Sequence, residues 1–139
     1  MIFGIGTDIV KISRIEKMKS QDNFADKILS ETELNIFNDL NESKKNTFLA
    51  KQFAAKEAIS KAFGTGLSNP ILAKDIEILR DEKGKPVFNA LNGVSKAVLD
   101  LGITKSHVSL SDEKHYALAF AILETVSYTH LTLPTNREV

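Results

Sequence analysis

One long helical pattern, from about Ser43 to Phe63, occupies the middle of this chain of 139 residues and constrains what can surround it. Apolar residues recur there at helical spacing, and Gly64-Thr65-Gly66 follows where a glycine can end a helix. A β-branched, glycine-punctuated strand at about residues 2–12 and two short helices precede it. Two hairpins separated by another helix follow it. This order predicts an α+β fold, with an antiparallel sheet packed against one long and several short helices.

Two serine–glutamate pairs predict where the short helices begin. Ser13 with Glu16, and Ser30 with Glu33, both match the capping box, in which the serine side chain accepts a hydrogen bond from the glutamate's backbone N–H. Alternating apolar residues and turn signals predict hairpins from residues 75–79 with 86–88 and from 107–111 with 116–123. The residues that we expect the helix at 93–101 to bury are Val94, Ala97, Val98 and Leu101.

Composition excludes several classes of protein. The chain has no cysteine, which excludes a disulfide scaffold, a thiolate zinc site and a cysteine nucleophile, and fits a cytoplasmic protein. Its 18 Lys and Arg residues balance 18 Asp and Glu residues, which argues against a strongly basic nucleic-acid binder. It has no apolar run of the roughly 20 residues that a membrane span needs, and its amino terminus lacks the basic region of a signal peptide.

The end of the chain breaks the preceding pattern. Residues 126–139 are threonine-rich, and VSYTHLTLPT resembles the translation of a transposon-end adapter used to prepare DNA sequencing libraries. We therefore predict that residues 1–125 form the domain and that residues 126–139 are a non-native tail. His130, which lies in that tail, is accordingly expected to have no function.

Asp8 is an acidic residue within an otherwise apolar strand, close to Gly4 and Gly6. A carboxylate in such a place usually has a cation or hydrogen-bond donors beside it. The alternative is that Asp8 ends the strand and caps the helix that follows.

Glu57 and Lys61 are four residues apart on the long helix and therefore share a face, with Phe53 one turn earlier. They could simply be an exposed ion pair of small energetic value. Asp8 and Glu57 together, however, would suit Mg²⁺, which commonly takes one or two protein carboxylates and completes its octahedron with water and phosphate oxygens.

His107, Ser109 and Ser111 alternate along a late strand and so face the same side of it. They could form a polar outer face with a satisfied histidine. A serine-hydrolase triad is not supported, because the sequence has no nucleophile-elbow motif beside them.

Three segments together resemble the motifs of the holo-acyl-carrier-protein synthase family, the AcpS-type 4′-phosphopantetheinyl transferases. These segments are GIGTDIVKISRIE, FAAKEAISKAFGTG and HVSLSDEKHYALAFAILE. Their order, their spacing and the length of the chain all match the family from Met1 to about Glu124. The resemblance implies the fold of that family.

The resemblance also implies a reaction, the Mg²⁺-dependent transfer of 4′-phosphopantetheine from coenzyme A to a serine of apo acyl carrier protein. By motif position, Asp8 and Glu57 are the expected metal ligands, and Lys61 is expected near the phosphates. Glu57, directly or through a metal-bound water, is the candidate for accepting the serine proton. The general base, the choice between Mg²⁺ and Mn²⁺, the preferred carrier and the use of acyl-coenzyme A stay open.

The family further implies a homotrimer with active sites at subunit boundaries. His107 is then expected to approach the coenzyme A nucleotide, and Gly64, Thr65 and Gly66 to offer backbone N–H groups to it. The first helix is expected to dock the acidic carrier through Arg14, Lys17 and Met18, although it could be only a solvated basic helix.

Two departures from the family pattern affect these expectations. Lys51 and Gln52 stand where many members have Gly-Arg. If that arginine holds a coenzyme A phosphate, Lys51 or Lys45 could replace it as a point charge. Asp112 stands where many members have a second histidine, which argues against an essential role for this position.

Two other functions remain to be distinguished from the enzyme. One is a noncatalytic module that binds acyl carrier protein or coenzyme A, and the other is a purely structural trimer. The intact set of Asp8, Glu57 and Lys61 favours the enzyme, since binding alone does not require a pair of metal ligands.

Overall fold

The long helix and the first strand occupy the centre of the fold, in a computed structural model that describes residues 1–126. The elements in chain order are β1 (Ile2–Lys11), α1 (Ile12–Glu16), α2 (Gln21–Ile28), α3 (Glu31–Asp39), α4 (Glu42–Phe63), a 3₁₀ turn (Ala73–Asp75), β2 (Ile76–Arg80), β3 (Pro86–Ala90), α5 (Asn92–Leu101), β4 (Ile103–Asp112) and β5 (Tyr116–Thr125). The α+β fold and both hairpins are therefore confirmed. No helix within residues 1–126 combines the length and the apolar character needed to cross a membrane.

The strands form two antiparallel sheets. The larger has the order β1-β5-β4, so the last strand of the hairpin lies between the first strand of the chain and β4. In this register Gly6 lies opposite Ala121, and Asp8 lies opposite Ala119. The smaller sheet consists of β2 and β3 alone.

Helix α4 packs against the inner face of the larger sheet through small side chains on both sides. Ala54, Ala55 and Ala58 on the helix are fully buried, as are Ala117 and Ala119 on β5. The approach is closest at Gly4 and Gly6. A Cβ atom on either glycine would overlap the carbonyl oxygen of Ala62 or Ala58, respectively. It is therefore the backbone of α4 that approaches these two glycines.

Three local expectations have different outcomes. The Ser30–Glu33 capping box is present in full, and Gly64 ends α4 with φ 88°, as predicted. Ser13, in contrast, is not a cap: it lies inside α1, which begins at Ile12, and the N-cap, Lys11, makes no side-chain hydrogen bond. The reason is tertiary, because the Ile12 N–H already donates to His115 O at 2.8 Å, and the helix leaves the strand directly from that bond.

Two further differences concern helices. Helix α2 was not expected; Ser20 caps it by accepting a hydrogen bond from Asn23 N at 3.0 Å. Leu101 was expected to be buried but is 43% exposed. It is the last residue of α5, and the chain turns away at Gly102 (φ 71°) instead of continuing over the core.

Residues 127–139 lie outside the described residues, and so does nearly all of the predicted non-native tail. The proposed boundary after residue 125 therefore stays a prediction.

Candidate active site

Asp8 lies inside β1, with its side chain on the face that packs against α4. The strand continues to Lys11, so the alternative in which Asp8 ends the strand and caps α1 is wrong. The Asp8 side chain is 16% exposed, and its Oδ1 lies 3.2 Å from Lys61 Nζ. Lys61 also donates to Thr7 O at 3.0 Å. The close packing of β1 on α4, which Gly4 and Gly6 permit, brings this carboxylate to the helix.

Glu57 lies one helical turn before Lys61 and is half-buried. Its pKa is raised, mainly because burial disfavours the charged form and secondarily because of the negative charge of Asp8. Lys61 and Arg14 offset part of this rise. The fold thus brings together the two carboxylates that the sequence separates by almost fifty positions, and they are close enough to repel.

The carboxylates of this pair are poorly satisfied by the protein itself. Within residues 1–126, the carboxylate of Glu57 accepts no hydrogen bond, and the carboxylate of Asp8 accepts only the one from Lys61. No cluster of three or more acidic, histidine or cysteine side chains in this part of the chain could hold a metal by itself. A pair of carboxylates with free oxygens fits Mg²⁺, which needs few protein ligands when water and phosphate supply the others.

Lys56, the residue before Glu57, has a charged group whose hydrogen bonds are all made within the protein. Its side chain is fully buried, and its ammonium donates to Glu33 Oε1 at 2.7 Å, to Ala73 O at 2.9 Å and to Ile76 O. Burial lowers the pKa of Lys56, and Glu33 partly offsets this change. All three of its donor positions are therefore used.

Glu33 is equally saturated. Its Oε1 also accepts from Ser30 N at 2.8 Å, while its Oε2 accepts from Gln52 Nε2 at 2.6 Å and Ile78 N at 2.9 Å. We name Glu33, Gln52 and Lys56 the buried cluster. Sequence reasoning missed it, because the capping box reveals only the local half of the contacts of Glu33.

His107 lies on the other face of the larger sheet. It is exposed together with Ser109 and Ser111, as the alternation predicts. Its Nε2 is 2.6 Å from Glu124 Oε2, and this hydrogen bond is the main reason why the pKa of Glu124 is lowered. Because Asp8 faces α4, a single chain does not bring His107 and Asp8 together.

The Gly64–Gly66 segment follows Lys61 directly. Gly64 and Gly66 have φ values of 88° and 67°, and nothing lies within 4 Å of where their Cβ atoms would be. The N–H groups that we expected to contact phosphates are, however, engaged in ending α4. Gly64 N donates to Lys61 O, and Thr65 N and Gly66 N donate to Ser60 O. What the segment offers to a ligand is open space beside the backbone.

The remaining predicted residues lie in separate places. Lys45 pairs with Glu42 at 3.2 Å and lies over the ring of Phe37. Lys51 pairs with Asp112 at 3.2 Å. This contact gives position 112 a part in joining α4 to the β4–β5 hairpin.

The expected docking residues lie at α1 and just after it. Arg14 and Lys17 are exposed, and Met18 is partly buried. Arg14 is near enough to Glu57 for its charge to act on the pKa of that carboxyl.

Comparison with known proteins shows what the whole arrangement resembles. The family model described as "4'-phosphopantetheinyl transferase superfamily" matches residues 4–121. A holo-[acyl-carrier-protein] synthase from Vibrio parahaemolyticus is 45% identical over 126 residues, which cover 89% of this chain and 98% of that protein.

Solved structures agree with the sequence comparison. The holo-[acyl-carrier-protein] synthase of Neisseria meningitidis matches with a TM-score of 0.82 and 40% identity, covering 90% of this chain and 100% of that one. The Bacillus anthracis protein, solved in complex with coenzyme A (3',5'-ADP), matches with a TM-score of 0.78 and 40% identity, covering 91% and 99%.

Proposed function

Because the chain belongs to the 4′-phosphopantetheinyl transferase superfamily, and within it to the holo-[acyl-carrier-protein] synthases, we propose that it transfers 4′-phosphopantetheine from coenzyme A to a serine of apo acyl carrier protein. The observation that carries this proposal is the unsaturated pair formed by Asp8 and Glu57 next to Lys61. The alternative, a noncatalytic module that binds carrier or coenzyme A, gives no reason to keep two repelling carboxylates together.

The proposed reaction exchanges the phosphoanhydride bond of coenzyme A for a phosphodiester bond to serine. The serine oxygen forms a bond to the phosphorus attached to pantetheine, and the bond from that phosphorus to the bridging oxygen breaks. Adenosine 3′,5′-bisphosphate leaves with the bonding electrons. Glu57 is the candidate for accepting the serine proton, because a raised pKa makes its carboxylate a better base than an ordinary glutamate.

Asp8 and Glu57 would hold Mg²⁺, which when bound would supply positive charge for the phosphate oxygens. Lys61 supplies a further cation on the same side of the helix. Its side chain is 51% exposed, and its ammonium is held toward the site by Asp8 and the Thr7 carbonyl. From there it can stabilise charge that develops on the phosphates.

We also propose that the active enzyme is a homotrimer with its sites at subunit boundaries. The outer face of the larger sheet exposes large apolar side chains, among them Ile5 (59%), Ile9, Leu118 and Phe120 (46%). Such a continuous apolar face favours self-association. His107 lies on this outer face, so it can approach a nucleotide bound at Asp8 only from a neighbouring copy.

The carrier protein is proposed to dock at α1 and the residues that follow it, through Arg14, Lys17 and Met18. Exposed cations suit an acidic partner, and Arg14 is close to Glu57, where the serine must arrive. Arg14→Glu should raise the KM for carrier protein and leave the KM for coenzyme A nearly unchanged. Lys96→Glu, which alters an exposed lysine on α5, is the matched control. An unchanged carrier KM, or an equal rise for both substrates, would contradict this docking site.

The direct test of the function is a mass measurement. The protein is incubated with apo acyl carrier protein, coenzyme A and Mg²⁺, and the carrier is expected to gain the mass of one phosphopantetheine group. Parallel reactions with EDTA and with Glu57→Gln should leave the carrier unmodified. Binding of both substrates with no gain in mass would instead support the noncatalytic module. A cytoplasmic location, which the absence of cysteine suits, remains part of the proposal.

A further inference from the structure

A cavity of about 340 Å³ between α4 and β2 carries three cations in its wall. Lys44 and Lys51 come from α4, and Arg80 comes from the end of β2. The hydroxyls of Ser43 and Thr47 lie beside them, and none of the described residues that line the cavity has a carboxylate. Cations and hydroxyls without an acid are the donor set that suits a phosphate group.

Arg80 and Lys44 are the cations of this cavity that lack an ion pair within residues 1–126, and Arg80 is the one of them with a planar guanidinium. Its closest contacts are long, 3.4 Å from Nη2 to Gln52 Oε1 and 3.5 Å from Nη1 to Leu79 O. Partial desolvation on its inner side lowers the pKa of the guanidinium. Lys51, in contrast, is already paired with Asp112.

Gln52 cannot itself bind an anion in the cavity. Both N–H groups of its amide point inward, to Glu33 Oε2 at 2.6 Å and Ile78 O at 2.9 Å. Only its carbonyl oxygen faces outward, and it orients the guanidinium of Arg80. Arg80 therefore brings a guanidinium next to position 52, where many sequences of this family carry an arginine.

Coenzyme A has two kinds of phosphate that need cations. Its pyrophosphate is proposed to bind at Asp8, Glu57 and Lys61, where Mg²⁺ and the lysine would supply positive charge. Its 3′-phosphate is a separate dianion on the ribose. Lys51 and Lys61 are ten residues apart on one helix, which separates their Cα atoms by about 15 Å, and only Lys51 lines the cavity. The cavity of one copy therefore suits a nucleotide bound at the carboxylates of a neighbouring copy.

We propose that Arg80 is the specificity-determining residue of this chain for the 3′-phosphate of coenzyme A, in place of the arginine that position 52 lacks. This inference rests on the proposed transferase function and trimer. Because Arg80 can present a planar fork to a phosphate, it is a better ligand than the point charge of Lys44 or Lys51.

The test compares coenzyme A with 3′-dephospho-coenzyme A in the full-length protein. Arg80→Gln should raise the KM for coenzyme A about tenfold or more, the loss expected for a hydrogen-bonded charge. It should leave the KM for the dephospho substrate and the kcat for both within about twofold of the original chain. Lys96→Gln is the control for removing a cation elsewhere, and thermal melting checks that each variant folds. Adding Gln52→Arg to Arg80→Gln should restore part of the preference for the 3′-phosphate.

An equal rise in KM for both nucleotides, or no rise for either, would overturn the assignment of Arg80. A complete lack of turnover by the unmodified chain would instead overturn the proposed function. Calorimetry would then decide about Arg80 separately: Arg80→Gln should weaken binding of adenosine 3′,5′-bisphosphate but not of AMP. Equal binding of both compounds by the variant and the original chain would contradict the inference.

Discussion

The buried cluster and the Asp8–Glu57–Lys61 site use neighbouring residues of the same helix for opposite purposes. Lys56 and Glu33 are fully buried, and each of their charged atoms has its hydrogen bonds. Glu57, one residue after Lys56, is half-buried, and its carboxylate receives no hydrogen bond within residues 1–126. The two regions contain similar charged groups, and they differ in how many of the hydrogen bonds of those groups are made within the protein.

This difference is our basis for distinguishing a structural charge from one that we propose to be functional. A buried charge is tolerated only when it is paired and hydrogen-bonded, as Lys56 is. A carboxylate pair that is left repelling and partly open retains the capacity to bind a ligand. Lys56 and Glu57 are neighbours in the segment FAAKEAISKAFGTG, so their positions in the sequence alone do not show that one is structural and the other a candidate site residue.

The largest effect should come from breaking the buried cluster. Lys56→Met keeps the length of the side chain but leaves the Glu33 carboxylate buried without its cation, which should cost about 3–5 kcal/mol of unfolding free energy. Urea denaturation measures this loss. The matched variant, Lys61→Met on the same helix, removes an exposed cation and should cost less than about 1 kcal/mol while strongly reducing transferase turnover.

The distinction between the two regions would be contradicted if Lys56→Met left the stability unchanged or Lys61→Met left the turnover unchanged. A stable Lys56→Met protein, or a Lys61→Met protein with normal turnover, would mean that saturation does not distinguish the two regions. Glu33→Gln combined with Lys56→Met should be more stable than Lys56→Met alone, because the double change removes the unpaired charge.

A smaller effect is expected on the pKa of Glu57 in the metal-free protein, measured by NMR titration of its side-chain carboxyl. Asp8→Asn should lower this pKa, since it removes a like charge, although burial should keep it above the usual value. Lys61→Met should raise it further, since it removes an offsetting cation. Mg²⁺ affinity should accordingly fall as the pH falls through this raised pKa. A pKa that neither variant moves would contradict the coupling.

The sequence predicted the parts of the fold that depend on local patterns. The hairpins, the long helix with its glycine stop and the Ser30–Glu33 box all follow from periodicity and capping. The prediction that Ser13 caps α1 is wrong, because a hydrogen bond from Ile12 to His115, a residue distant in sequence, decides where α1 begins. A local signature carries no information about such a partner.

The residues of the candidate site were likewise predictable only where a sequence motif marks them. Motif positions identified Asp8, Glu57 and Lys61, and the fold brings them together. The buried cluster and the contact between Gln52 and Arg80 escaped prediction, because they depend on packing between α4 and β2 that has no periodic signal. A conspicuous departure at position 52 was the one clue, and only the structure shows that Gln52 faces inward.

Removing residues 126–139 is expected to have no effect on stability or activity. The melting temperature and the turnover should stay within experimental error, because we predict that this segment is foreign to the domain. A clear loss of folded protein on truncation would show that the segment packs against the domain and that the prediction is wrong.

The central claim is that Asp8 and Glu57 form one metal-binding unit that serves the transfer reaction. Its most direct test is the transferase rate of Asp8→Ala, Glu57→Ala and the double variant across a Mg²⁺ titration. We expect each single variant to lose turnover while staying folded, and the double variant to be scarcely worse than either, because the residues act together. Near-normal turnover of both single variants at low Mg²⁺ would contradict the claim.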